Sequence, residues 1–216
     1  ADLGPIVCRI PTHGDLTPYL QYPLARDRVR YVGEPVALII AKTRAICEDA
    51  AELVEIDFEP LPAVSSPYRA IEPDAEPIHA AGNLAGDWGF DLGNVEEALQ
   101  SAAHVVRERF SIQRHTAMPM ETRGLLAAYD RGRNLLEVHG ATKVVHTNRN
   151  MLAGMLGMSE QQIRLVEPDV GGSFGARGEF YPEDFLIPFA AKRLGRPVRW
   201  IEDRVEHFSA INHSRD

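Results

Sequence analysis

Four glycines at positions 171, 172, 175 and 178 fall between a short strand-like run, Ile163 to Val166, and a helical run from about Pro182 to Leu194. No other stretch constrains the chain as much. Glycine admits positive φ, and its missing Cβ lets backbone N–H groups come close to a ligand or to another segment. The order Gly171-Gly-Ser-Phe-Gly175-Ala-Arg-Gly178 has no Gly-Lys-Ser/Thr at the offset of a phosphate-binding P-loop, and it does not spell G-x-G-x-x-G. Nor does Ser173 sit in a G-x-S-x-G nucleophile elbow. Taken alone, the stretch reads equally as a tight strand-to-helix connection or as a cradle for an anion or cofactor.

The flanking pattern supplies the elements. Tyr31-Val-Gly-Glu-Pro35 is a turn signal, and Val36 to Ala41 is a short apolar run suited to a buried strand. Thr43 is placed to N-cap a helix over about Arg44 to Leu53. Val54, Ile56 and Phe58 then alternate with Glu55, Asp57 and Glu59, predicting a half-buried strand that Pro60 and Pro62 end. Between Pro60 and Asn94 prolines and glycines crowd and periodicity is lost, so this stretch reads as a connector that Trp88 and Phe90 pin to a neighbouring surface. Asn94 with Glu97 three residues on predicts a capped short helix, and alternation over His104 to Gln113 predicts another strand. Leu125 to Tyr129 and Leu135 to His139 flank the turn signal Asp130-Arg-Gly132, predicting a hairpin. A helix over about Asn148 to Leu156, a capping box at Ser159 to Gln162, the strand Ile163 to Val166, the helix stopped by Gly195, and a last strand Val198 to Ile201 complete the pattern. The chain opens on Ala1 and its last segment, Ile211 to Asp216, closes no element, so the sequence reads as a piece of something longer.

Composition narrows the function classes. With 216 residues, 44% hydrophobic and 25% charged, the chain is in the ordinary globular range. Its net charge of −8 disfavours a phosphate backbone as partner, so nucleic acid is not expected. Two cysteines, Cys8 and Cys47, make neither a disulfide framework nor an iron–sulfur cluster. The longest apolar run is far too short for a membrane span, and no signal peptide opens the chain, so a cytoplasmic, reducing compartment is expected. The eight histidines fall in no metal-binding spacing. Glu121 and the pair Glu206-His207 are candidate acid–base residues, for which a surface or satisfied core role is the plainer reading. Arg107, Arg109 and Arg114 fit an exposed strand face.

In its surroundings the glycine run takes on more meaning. Asp169-Val-Gly-Gly-Ser-Phe-Gly-Ala-Arg177 is followed by Leu194-Gly-Arg-Pro-Val-Arg-Trp-Ile-Glu202, Arg204, Glu206-His-Phe208 and Arg215-Asp216. This series resembles the molybdenum hydroxylase family: the large, molybdopterin-carrying subunit of xanthine dehydrogenase, aldehyde oxidase and aerobic carbon monoxide dehydrogenase. Val29 to Ala37, Ala50 to Val54 and Leu61 to Val64 are similar to the family's small hammerhead domain, and Met118-Pro-Met-Glu121 and Gly140-Ala-Thr142 fall where its matching segments would. The resemblance runs in order over nearly the whole chain.

The resemblance implies an α+β fold: a small α/β hammerhead domain over residues 1–66, a connector over 67–93, and the N-terminal part of a mixed α+β molybdopterin-binding domain over 94–216. It implies that Gly172, Phe174 and Gly175 face the molybdenum end of the cofactor, with a backbone N–H as donor to a metal ligand. Lys143 stands where the family has a cofactor-reaching glutamine, a cation in place of a neutral amide. No catalytic residue and no protein metal ligand is expected in this segment, because the family's other cofactor loops and its glutamate base lie in a later domain. The implied partners are iron–sulfur and FAD subunits or domains, the remaining molybdopterin-binding domain and a small-molecule substrate. The implied activity is water-derived hydroxylation of an aldehyde, an N-heterocycle or a related small molecule. On its own the chain is expected to hold no molybdenum and to turn over nothing. The competing reading is a truncated or divergent, non-catalytic module for subunit interaction.

Overall fold

The computed structural model describes residues 3–8, 15–140 and 142–214. Its centre is a four-stranded mixed sheet made of β2 (Gly124–Asp130), β3 (Leu135–Gly140), β4 (Ile163–Val166) and β5 (Val198–Ile201), in the spatial order β4-β3-β2-β5. The β2–β3 hairpin forms where the turn signal predicts it. Asp130 pairs with Leu135 at its closed end, and the Asp130 carboxylate accepts from the Arg133 amide at 3.0 Å. β5 adds antiparallel to β2, and β4 adds parallel to β3. The parallel step needs a crossover, which helix α4 (Val145–Leu156) supplies.

Helix α5 (Pro182–Leu194) packs on the same sheet, and together they enclose the core. Ala127, Leu136 and Val138 come from the strands, Leu152 from α4, and Phe185 and Leu186 from α5. α5 is apolar around most of its circumference, as a helix buried on several sides must be. Gly195 stops it in the left-handed conformation expected of a C-terminal glycine.

The N-terminal part is built more loosely. Helix α1 (Arg44–Ala51) is capped by the Thr43 hydroxyl, which accepts from the Ile46 amide at 3.3 Å. Helix α2 (Pro67–Ala70), capped by Ser66, forms inside the expected connector. In helix α3 (Val95–Ser101) Asn94 caps the Glu97 amide at 3.2 Å. Three other expected strands carry no strand pairing: Val36 to Ala41, expected from its apolar run, and Val54 to Phe58 and His104 to Gln113, expected from alternation. Alternation records that one face is apolar; a ladder also needs a partner backbone edge. Here those faces stay open, with Phe58 59% and Phe110 85% exposed. Trp88 and Phe90 likewise point to solvent rather than pinning the connector.

The C-terminal segment differs from expectation in the opposite sense. After helix α6 (Arg204–Ala210), strand β6 (His213–Ser214) pairs antiparallel with β1 (His115–Thr116), so an element does form there. The chain is thus mixed α+β, as its sequence indicates. No helix among the described residues is long and apolar enough to cross a membrane.

Candidate functional site

The glycine run leaves β4, crosses the surface beside the segment 117–123, and enters α5 through a short 3₁₀ turn at Ala176–Gly178. Its backbone is unusual. Gly172 has φ +105°, Gly175 has φ +98°, and between them Phe174 adopts φ +50°. A non-glycine residue in the left-handed region costs roughly 1–2 kcal/mol, and strain of this kind clusters where a ligand is held. Phe174 is also 78% exposed, so no packing of its ring accounts for that cost.

The conformation frees a row of donors. The Gly171 amide donates to the Glu121 carboxylate at 2.7 Å, Ala176 N–H to Ser173 O at 3.0 Å and Gly178 N–H to Gly175 O at 3.0 Å. The amides between them, from Gly172 to Gly175, donate to no acceptor among the described residues. Successive free N–H groups in a turn of this kind form a concavity that suits an anion. Two further features fit such an occupant. The Ser173 hydroxyl is buried without a hydrogen-bond partner, and a Cβ added at Gly175 would meet nothing within 4 Å, so that side of the loop is open to a ligand.

Lys143 closes one flank. Its amide donates to Arg177 O at 3.0 Å, and its side chain passes beside Gly178. It is exposed and in no ion pair among the described residues. The Asn148 side chain fixes the turn that carries it by donating to the Thr142 hydroxyl at 2.7 Å. Gly172, Phe174 and Gly175 thus share one loop, and Lys143 meets its C-terminal end at Arg177 and Gly178.

Beneath the loop lies a buried ionic network that sequence reasoning missed. Arg123 donates through Nε and a terminal nitrogen to one oxygen of Glu202, at 2.9 and 2.6 Å, and through its other terminal nitrogen to Glu183 at 3.1 Å. Its guanidinium lies 4.0 Å from the centre of the Tyr181 ring. Burial works to raise the Glu202 carboxyl, but the hydrogen bonds and charge of Arg123 outweigh it and hold it below the usual carboxylate range. His207, fully buried, sits between Glu202 (Nδ1 at 2.6 Å) and Ala117 O (Nε2 at 3.1 Å). Pairing of the Arg123 guanidinium with the Glu202 and Glu183 carboxyls makes the burial of these charges tolerable. Removing one partner strands the others and costs about 3–5 kcal/mol.

Of the candidate acid–base residues, His207 thus belongs to the core. Glu206 is half-buried beside the network, its carboxyl raised by burial and by Glu183 and Glu202. Glu121 instead supports the glycine loop. Arg107, Arg109 and Arg114 are exposed, as expected, though on a segment without strand pairing. The pairing of Arg123 with Glu202 spans 79 positions, a separation at which a single sequence carries no signal. Arg177, by contrast, stands inside the glycine run itself, and a lone arginine among glycines is a legible clue. Among the described residues, no group of three or more His, Cys, Asp or Glu is placed to hold a metal ion.

Comparison with known proteins gives the site a context. Residues 77–216 match the molybdopterin cofactor-binding domain family, and residues 9–62 match the a/b hammerhead domain of aldehyde oxidase and xanthine dehydrogenase. The chain is 39% identical over 193 residues to the gamma subunit of the 6-hydroxypseudooxynicotine dehydrogenase complex of Paenarthrobacter nicotinovorans, covering 89% of this chain and 24% of that protein. It is 32% identical over 232 residues to the carbon monoxide dehydrogenase large chain of Afipia carboxidovorans, covering 100% of this chain and 28% of that one. Among solved structures, quinoline 2-oxidoreductase from Pseudomonas putida 86 superimposes with a TM-score of 0.82 at 39% identity, covering 91% of this chain and 25% of that chain. The sequence spans about a quarter of the length of these relatives.

Proposed function

Because the chain belongs to the molybdenum hydroxylase family, we propose that it supplies the hammerhead domain and one wall of the molybdopterin site in the large subunit of a molybdenum-dependent hydroxylase. The division we adopt is hammerhead over 1–66, connector over 67–93 and cofactor-binding part over 94–216. One observation carries the reading: the run of free amides from Gly172 to Gly175, held open by three left-handed residues in a segment of the matched cofactor domain.

The cofactor, when bound, supplies the redox chemistry of hydroxylation. This chain binds and orients. The Gly172, Phe174 and Gly175 amides are donors fixed in advance, which need no reorganisation as negative charge develops opposite them. Lys143 adds a positive charge at the C-terminal end of the loop. Exposed Phe174 presents an apolar face that excludes water from the mouth of the site. A hydrogen bond from such an amide to a charged acceptor contributes about 1.5–3 kcal/mol, against a cost of several kcal/mol for immobilising a large ligand. One loop is therefore too little, and the rest of the large subunit completes the site.

The substrate class we propose is a small aldehyde or N-heterocycle. Two relatives point to the latter: one solved structure is a quinoline 2-oxidoreductase and another relative a nicotine 6-hydroxylase large subunit. Iron–sulfur and FAD partners take the electrons, in the cytoplasm. The test is a dye-reduction assay of the complete large subunit with these partners, over N-heterocycles and aldehydes, beside metal analysis. Turnover with bound molybdenum supports the proposal. A large subunit that binds the partners yet holds no molybdenum would instead establish the interaction-module reading.

A further inference from the structure

We propose that Glu121 is the positioning residue of the cofactor loop, working with Arg177 to transmit the rigidity of the buried network to the free amides. This rests on the reading of the loop as a cofactor site.

Glu121 lies where two segments meet. One carboxylate oxygen accepts from the Gly171 amide at 2.7 Å and from Arg177 at 3.1 Å, and the Glu121 amide returns a longer bond to Gly171 O at 3.4 Å. The approach is so close that a Cβ on Gly171 would stand 2.7 Å from the Glu121 Cβ. Only glycine admits the carboxylate here. Arg177, its side chain 2% exposed, grips both segments: Nε donates to Gly172 O at 2.8 Å, and a terminal nitrogen donates to the carbonyls of Glu121 and Thr122 at 2.9 and 3.2 Å. The pair thus fixes both peptide groups that enter the left-handed stretch.

The segment carrying Glu121 is itself bolted down from the other side. Arg204 donates to Pro119 O at 2.8 Å and to Met120 O at 3.0 Å, His207 donates to Ala117 O, and the Thr122 hydroxyl donates to Glu202 O at 2.7 Å. Glu121 is the only side chain in this segment that reaches forward to a loop amide among the described residues. It is 47% exposed at the side chain, so it adds little to the core. Its geometry serves the loop.

The experiment compares Glu121→Ala and Glu121→Gln with wild type. Amide hydrogen exchange is read on the chain, and molybdenum and pterin content on the complete large subunit. Glutamine keeps a carbonyl acceptor for the Gly171 amide but loses the charge opposite Arg177. Loss of a bond to a charged acceptor predicts roughly tenfold faster exchange at Gly171 in the alanine variant, and a smaller rise in the glutamine variant. Amides of the β2–β3 hairpin stay unchanged in both. Cofactor content falls several-fold in the alanine variant and is largely restored by glutamine. Unaltered Gly171 exchange overturns the proposal, as does a uniform loss of protection across the sheet. Faster Gly171 exchange with undiminished cofactor content also overturns it while leaving the family reading intact. A wild-type large subunit without cofactor overturns the functional reading instead, whatever the exchange data show.

Discussion

At Gly171 and Gly175 the same change, to alanine, meets opposite surroundings. The new Cβ at position 171 collides with Glu121 and breaks the approach of its carboxylate, an overpacking expected to cost about 1–3 kcal/mol. At Gly175 there is free space, and only the positive φ is penalised, by roughly 1 kcal/mol. Urea unfolding of the two variants is expected to rank Gly171→Ala as the less stable; equal midpoints would remove the Glu121 contact from the account. A second test at this scale concerns Asp184, whose carboxyl caps the Tyr181 amide at 2.8 Å and is pushed by burial up to about 7 from 3.8. The folded state holds that proton longer than the unfolded chain does, so stability is full below about pH 4 and declines as pH rises to about 7. Asp184→Asn keeps an acceptor and loses the titration. The variant and wild type should unfold alike at pH 4, with the variant progressively more stable toward pH 8; parallel curves across this range would contradict the raised value.

Among the elements, those whose signals are local were legible in the sequence. The Thr43 and Asn94 caps, the Asp130 turn and the Gly195 stop each depend on contacts within five residues, and each element stands where its signal placed it. The expected strands at Val36 to Ala41, Val54 to Phe58 and His104 to Gln113 depend on a distant backbone edge, which a single sequence does not encode at those positions. The candidate site was legible in part for the same reason. Gly172, Phe174 and Gly175 sit in one continuous motif, whereas Glu121 and the Arg123–Glu202–His207 network join positions 50 to 90 residues apart. The connector gives a prediction at this scale. Residues 60–94 include no buried residue and hold only one four-residue helix, so limited proteolysis should cut there before the β2–β3 hairpin. First cleavage within Gly124 to Gly140 would show that the sheet is not the stable unit.

For the whole molecule, the division of labour is between a sheet with two packed helices, which fixes position, and a surface loop, which offers donors. The buried ionic network lies between them and holds the segment against which the loop is folded. On this account the chain contributes one preorganised face to a larger site. The most direct check is molybdenum and pterin stoichiometry of the complete large subunit, wild type beside Gly175→Val. Valine adds bulk into the open side of the loop and leaves the sheet and the network untouched. The account predicts stoichiometric cofactor in the wild type and a several-fold loss in the variant, whose β-branched residue at positive φ also lowers the thermal midpoint of the cofactor-free protein. Equal cofactor content in the two would contradict it, because the loop would then not face the cofactor.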